Sequence, residues 1–443
     1  MTINRKGRKK AVCLFSSAGL GELGLKANDI DIVASNELLK DRHNLYQVNF
    51  PKTKCFDGDI WKVKDDIVDF YKKSCKEELF LLYATPPCQG MSTNGAGKLL
   101  DEVRRGNRKE IDERNRLIIP TLDVIKKLQP KWIIFENVPN MQNTIINDEN
   151  DNFVNIMDYI KSELGEEYTG IGEVVACSDY GIPQQRKRLI TIYTRDPEGI
   201  KYFKQNGSFF PEHEKGDEVT LRDAIGQLPS LDSSEGKNSA ESFHPLHMVP
   251  IMKEDKYWWV SHTREGQTAY NNQCVNEKCM FDKNPLHKDV TAKERSKSNN
   301  KTAYNCLKCG SLLPRPSLID KNTKERRLIK GFHSAYRRMK WDKPAHTITQ
   351  NFQFEASDNK LHPEQNRVLS TYEALILQTI ADYEYNFEVN GKVISRSFFS
   401  KIIGESVPPK LIDIICKKMI GLSTEGNKKF DLSETNRQMS LLA

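Results

Sequence analysis

Glu78-Leu79-Phe80-Leu81-Leu82-Tyr83-Ala84-Thr85-Pro86-Pro87-Cys88-Gln89-Gly90-Met91-Ser92 decides the fold. Its apolar first half, closed by breakers, reads as a buried strand. Two prolines end that strand, because proline cannot donate to a ladder. Cys88 then stands on a turn at the strand's carboxyl end, where open α/β sheets place their ligand crevices. A thiol there reads either as a nucleophile or as a small buried hydrophobe. Gly90 to Asp112, with Gly95, Gly97, Gly106 and several Lys and Arg, reads as a long polar loop.

At 443 residues the chain exceeds what one hydrophobic core usually fills, which predicts two domains. Charged residues are 29% and hydrophobic ones 38%, the balance of a globular chain rather than a disordered one. No apolar run is long enough to span a bilayer and no signal-peptide core opens the chain, so a cytoplasmic location and no membrane partner are expected. Ten cysteines in such a compartment argue against a disulfide framework. Net charge is only +7, so its distribution matters more than its sum. Between Lys293 and Lys343 fifteen Lys and Arg stand against four acids, with Tyr304, Phe332, Tyr336 and Trp341 interleaved. That clustering is the footprint of a polyanion-binding surface, a solvated face being the alternative. Arg5-Lys6-Gly7-Arg8-Lys9-Lys10 reads as a loose basic tail over residues 1–10.

Taken in order, Lys10 to Phe15 is a strand, and Ser16-Ser17-Ala18-Gly19-Leu20-Gly21 leads into a helix. Strand, glycine-rich turn and helix start make a nucleotide cradle, although a purely structural tight turn explains such glycines equally well. The next strand, Asp31 to Asn36, ends in Glu37, placed to accept from ribose hydroxyls. Asp57-Gly58-Asp59-Ile60 offers Asp59 at another strand end, as an acceptor for an exocyclic amine. Helical periodicity follows over about Val63–Ser74 and Glu113–Leu128. The strand from Lys131 to Phe135 delivers Glu136, whose burial would raise its pKa and suit it to share a proton; a salt-bridged strand-end acid is the other reading. Tyr168 to Arg195 reads as two strands, with Arg186 and Arg188 on one face.

From about Pro211 the strand–helix alternation lapses, and Lys256-Tyr257-Trp258-Trp259 is an exposed-aromatic candidate. Cys274-x₄-Cys279 and Cys306-x₂-Cys309-Gly310 are two cysteine pairs across a loop, the spacing of a tetrahedral structural zinc site. The first pair is wider than ideal, and His287 is a reserve ligand. A helix over about Thr371–Thr379 follows, and a last one opens at Pro408-Pro409 and runs through Lys418.

Together these stretches resemble the DNA cytosine-5 methyltransferases, in family order and over most of the chain outside residues 213–330. Phe15 to Gly24 resembles the cofactor loop, Pro87-Cys88-Gln89 the nucleophile motif, and Glu136-Asn137-Val138 with Gln184-x-Arg186-x-Arg188 the base-contacting motifs. Arg338 to Thr349 resembles the motif that follows target recognition, and Gly404-Glu405-Ser406-Val407 the closing motif. Two positions depart from the family's pattern: Ser17 stands where glycine is usual, and Glu405 where asparagine is.

The resemblance implies an α/β, Rossmann-like S-adenosylmethionine-dependent domain over residues 11–212, a target-recognition domain over 213–392 carrying a zinc-ribbon-like insert, and a segment over 393–443 returning to the first. It implies that Phe15, Ser17, Ala18, Gly19, Leu20, Glu37, Asp59, Ile60, Pro87, Glu405, Ser406 and Val407 line the cofactor site. Cys88 would add to carbon 6 of cytosine, Glu136 would serve N3, and Arg186 would hold O2, with Arg188 beside it. Gln89, Ser92, Arg338 and Thr347 would touch double-stranded DNA, the target base being flipped from the helix. A monomer working beside a separately acting restriction endonuclease is the expected setting. Three rivals remain: the RNA-methylating branch of the fold, which is compact where this chain carries its insert; a catalytically silent DNA-binding module; and a nicotinamide oxidoreductase sharing the glycine loop.

Overall fold

The computed structural model describes residues 8–87, 91, 112–212, 218–287, 290–292, 295–297, 302–329 and 334–424. Cys88, Gln89 and Ser92, and nearly all of the Gly90–Asp112 loop, lie outside the described residues.

Strands β1 (Lys10–Leu14), β2 (Asp31–Glu37), β3 (Lys54–Asp57), β4 (Leu81–Ala84) and β5 (Trp132–Asn137) pair in parallel. A separate hairpin, β6 (Ile145–Asn147) and β7 (Phe153–Asn155), precedes β8 (Thr169–Ala176) and β9 (Lys187–Thr194). β9 runs antiparallel to both β5 and β8, so the seven-stranded order is β3-β2-β1-β4-β5-β9-β8. β4 and β5 are buried along their whole length because helices cover both faces, which is why they read as unbroken apolar runs rather than alternating ones. Alternation survives in where the side chains go. Cys13, Leu81, Tyr83, Trp132 and Ile134 enter one core; Val12, Leu14, Leu82, Ile133 and Phe135 enter the other.

Helices α1 (Leu23–Ala27), α2 (Lys40–Asn49) and α3 (Ile60–Ser74) follow the first three strands. The helix expected over Glu113–Leu128 is a 3₁₀ turn at Glu113–Leu117 running into an α-helix at Ile118–Leu128. Helices Ile156–Leu164, Pro197–Asn206 and Arg396–Glu405, none of them read from the sequence, also pack into the cores around the sheet. The final helix, Pro409–Thr424, lies against α1: Asn28 Nδ2 donates to Asp413 Oδ1 at 2.7 Å, and Trp132 Nε1 donates to Ser423 Oγ at 2.9 Å.

Residues 213–392 contribute to more than one core. Trp259, Val260, Tyr270, Ala335, Tyr336, Leu361 and Val368 form a cluster of their own, whereas Leu221, Ile225, Ile348, Leu369 and Leu377 join the core under the sheet. At the other end, Arg8 and Lys10 pair with Asp29 and Asp31, so this part of the basic stretch read as a tail is fastened to the domain.

Candidate active site

The carboxyl ends of the five parallel strands share one edge, and Phe15, Glu37, Asp59 and Glu136 stand on it. After β1 the backbone turns through Phe15 (φ 60°), Ser17 (φ 48°) and Gly19 (φ 79°). Three left-handed residues within five make a tight cradle, costly for residues bearing a Cβ. At Gly19 a Cβ would stand 2.5 Å from the Phe50 ring, so only glycine fits. Glu37 organises the lip: its carboxylate accepts from the Ser17 amide at 2.8 Å and the Leu39 amide at 2.7 Å. Burial raises its pKa, against the opposing pull of the Leu39 amide and of Arg42. Asp59 caps α3 by accepting from the Trp61 amide at 3.1 Å, with Ile60 buried behind it. Ala18 and Leu20 are buried, and the Ala18 carbonyl accepts from Tyr385 Oη at 2.6 Å.

Glu136, near the end of β5, is buried and bonded to Arg188 Nε at 2.8 Å. Burial raises its pKa, and the charges of Arg188 and then Arg186 pull it back. Both readings of this acid therefore hold at once: it is desolvated and it is paired. The same strand end pins the turn that leads to Cys88. Asn137 Nδ2 donates to the Pro86 carbonyl at 3.0 Å, and Asn140 Nδ2 donates to the Met91 carbonyl at 2.9 Å. Thr85 Oγ1 donates to the Phe15 carbonyl at 2.9 Å, tying that turn to the cradle. The backbone is thus held at Pro86 and at Met91 by two asparagines that closely follow Glu136.

Arg186 does not take the position expected of it. It is fully buried, just before β9, and its guanidinium donates to the carbonyls of Ile348 (2.8 Å), Gly404 (3.1 Å) and Glu405 (3.2 Å). Those donors fasten the closing motif to the segment around Thr347. Contact there is so close that a Cβ on Gly404 would fall 2.2 Å from the Gln350 amide. Gln184 extends the seam: it accepts from the Ile348 amide and donates to Gln378, which donates in turn to the Ser406 carbonyl at 2.6 Å. Thr347 itself donates to the Gln185 carbonyl at 3.3 Å. Val407 is buried beside these groups.

Away from this edge, the sulfurs of Cys274, Cys279, Cys306 and Cys309 all lie within 4.8 Å of one another. Cys274 and Cys309 Sγ are 3.7 Å apart, and Cys279 and Cys306 Sγ 3.9 Å. A tetrahedron with Zn–S bonds of about 2.3 Å separates its sulfurs by about 3.8 Å. The wider first pair closes through a turn in which the Cys279 amide donates to the Asn276 carbonyl at 2.8 Å, while the Cys274 amide donates to the Phe281 carbonyl at 3.3 Å. His287 is not among the four; its ring is buried against Thr302 Oγ1, at 2.7 Å, and the Tyr270 ring.

Residues 10–421 match the sequence family described as C-5 cytosine-specific DNA methylase. The chain belongs to this family. It is 31% identical over 417 residues to the type II methyltransferase M1.HgaI of Avibacterium volantium, covering 92% of this chain and 96% of that one. It is 25% identical to M1.HphI of Haemophilus parahaemolyticus, over 93% and 86% of the two chains. Among solved structures, a putative DNA modification methyltransferase from an E. coli prophage superposes with a TM-score of 0.52 at 22% identity, covering 94% of this chain and all of the other. The DNMT2 of Spodoptera frugiperda gives 0.51 at 15% identity, over 93% and 99%. At those identities the structural likeness shows the fold: a methyltransferase α/β domain around a mostly parallel sheet.

Several expectations for the methyltransferase's DNA side change with the geometry. Arg338 is buried, and its guanidinium donates to the carbonyls of Val260, Thr263, His362 and Gln365 and to Asn366 Oδ1. Burial lowers its pKa to about 10. It knits the core around Val260 and Leu361 together from the inside instead of lying on an exposed surface. Arg315 is equally buried, donating to the Asn272 and Ala303 carbonyls. Tyr336, Trp341 and Trp259 are core residues rather than exposed stacking platforms. Lys321, Lys324, Arg327, Lys340 and Lys343 keep the basic surface on the outside.

Sequence reasoning missed three participants. Leu38, directly after Glu37, is 61% exposed at the lip, an apolar face beside the acid. Gln378 is the buried link between Gln184 and Ser406. Arg42 joins Ser17 to Glu405. None carries a local signal: each matters through a partner distant in sequence.

Proposed function

We propose that the chain methylates carbon 5 of a cytosine within a specific duplex DNA sequence, as the modification enzyme of a type II restriction–modification system. The observation that carries this is the buried Glu136, its pKa raised by burial, bonded to Arg188 and followed by the two asparagines that hold the Pro86 and Met91 carbonyls.

Carbon 5 of cytosine is too poor a nucleophile to take a methyl group unaided. The Cys88 thiolate bonds to carbon 6, the ring's electron pair moves toward N3, and Glu136 shares its proton there. Arg188, rather than Arg186, meets O2 while holding the Glu136 carboxyl in place. After methyl transfer the carbon-5 proton leaves to a base, the carbon 5–carbon 6 double bond reforms, and the Cys88 sulfur departs with the electrons of its bond. A stacked base cannot reach these groups, so the cytosine is flipped into the site.

S-adenosylmethionine supplies the electrophilic methyl group when bound. The Phe15–Gly19 cradle, turned through three left-handed residues at the carboxyl end of β1, fits a ligand held at the strand ends. Each Glu37 oxygen holds an amide and retains a lone pair for a ribose hydroxyl. Ser406, Val407 and Pro87 close the opposite side. Four sulfurs at tetrahedral spacing fit zinc as a structural tie between the Cys274–Cys279 and Cys306–Cys309 turns, remote from the chemistry. A cavity of about 240 Å³ lined by Gln185, Arg337, Lys340, Lys343 and His346 lies beside Thr347 and suits a DNA backbone phosphate.

Bisulfite sequencing of DNA from cells expressing the chain tests the reading. One short sequence context protected by the wild type and unprotected by Cys88→Ser is expected; unprotected DNA in both, with methyl transfer to RNA instead, contradicts it.

A further inference from the structure

Ser17 and Glu405, the two departures from the family's pattern, meet in the fold through one side chain. Arg42 of α2 pairs through Nη2 with Glu405 Oε2 at 2.7 Å and turns Nη1 toward Ser17 Oγ at 3.5 Å. Glu405 also accepts from Gln350 Nε2, which fixes its other oxygen. One guanidinium therefore bridges the cradle after β1, the helix after β2 and the closing motif, three segments of the proposed cofactor site. The carboxyl of Glu37 is near enough to feel both Arg42 and Glu405.

Both members of the pair stay within reach of solvent, with 16% of the Arg42 side chain and 26% of the Glu405 side chain exposed. A partly exposed ion pair adds little to folding stability. Two opposite charges held side by side do, however, match an α-amino acid, which carries a carboxylate and an ammonium on one carbon. The long contact to Ser17 leaves the Nη1 edge of Arg42 as its weakest engagement, and a carboxylate is the natural partner for that edge. Glu405 keeps lone pairs on both oxygens for an ammonium, which an asparagine would meet without charge.

We propose that Arg42 and Glu405 form a paired-charge clasp for the amino-acid end of the cofactor, Arg42 taking its carboxylate and Glu405 its ammonium. The proposal rests on the cofactor reading above. Because pair and ligand are each net neutral, the clasp binds the amino-acid end by complementary dipoles and leaves Glu37 for the ribose.

Calorimetric titration of the full chain with three nucleosides tests this: S-adenosylhomocysteine, its decarboxylated analogue, and methylthioadenosine, which lacks the amino-acid end. The wild type is expected to prefer S-adenosylhomocysteine over both. Arg42→Ala weakens S-adenosylhomocysteine about ten- to a hundredfold, the strength of a charge-assisted contact, and removes the preference over the decarboxylated analogue. Methylthioadenosine affinity stays within about twofold. Glu405→Asn restores the residue usual in the family and keeps the fold; it too weakens S-adenosylhomocysteine and spares methylthioadenosine. Equal losses for all three ligands in both variants, or unchanged preference, overturn the clasp. A wild type that binds none of the three overturns the cofactor reading itself, and the clasp falls with it.

Discussion

Arg186 and Arg188 stand two residues apart, yet one fastens backbone and the other faces Glu136. Alanine at 186 strands three buried carbonyls and leaves a cavity, which together cost about 3 kcal/mol or more. Alanine at 188 removes a partly exposed partner of a proton-sharing acid. Its predicted cost is about 10²- to 10³-fold in single-turnover methylation, the scale of one lost electrostatic stabiliser. Urea unfolding and single-turnover rates on both variants separate the two: a destabilised Arg186→Ala and a folded, slow Arg188→Ala are expected. Sequence spacing put both arginines on one face of a strand, and both charges do act on the Glu136 carboxyl. Their division of labour was not legible, because it is set by carbonyls at 348, 404 and 405, far along the chain.

At the scale of the element, the cradle after β1 was legible from its glycines and from the strand before it. Its hidden part is Glu22, at the start of α1, which is buried with Ser16, Tyr46 and Tyr83 around it. Burial pushes its pKa up to about 7, against the opposing pull of the neighbouring Ser16 hydroxyl. The folded protein therefore holds this proton more tightly than the unfolded chain does. Stability from this group is greatest below the ordinary carboxyl range and is lost as pH rises from there to about 7, by about 3 kcal/mol in all. Glu22→Gln cannot ionise, so its stability relative to wild type should rise by about that amount between pH 4 and pH 8. Parallel pH profiles in urea unfolding would contradict the assignment. The Arg396–Glu405 helix, by contrast, was missed although Ser395 caps it by accepting from the Phe398 amide at 3.2 Å.

At the scale of the molecule, the order of motifs carried the fold, since five strand ends had to meet on one edge of a parallel sheet. Residues 213–392 were less legible. Arg338, Arg315, Tyr336 and Trp341 are types that read as DNA contacts in sequence, and only their burial shows otherwise. The cysteine set is the exception, because ligand spacing is local. Metal analysis of protein purified without chelator should find one zinc per chain. Cys306→Ser should lose it and weaken specific DNA binding while leaving S-adenosylhomocysteine affinity unchanged; full metal retention in that variant contradicts a four-sulfur site.

The account as a whole turns on a sulfur–carbon bond to the target base. The most direct measurement places 5-fluorocytosine, whose carbon-5 fluorine cannot leave as a proton does, at the position located by bisulfite sequencing. The duplex is incubated with enzyme and S-adenosylmethionine, denatured and resolved on a gel. A stable one-to-one adduct, mapped to Cys88 and absent from Cys88→Ser, is the predicted result. Methylation of the unfluorinated duplex with no adduct on the fluorinated one would contradict it.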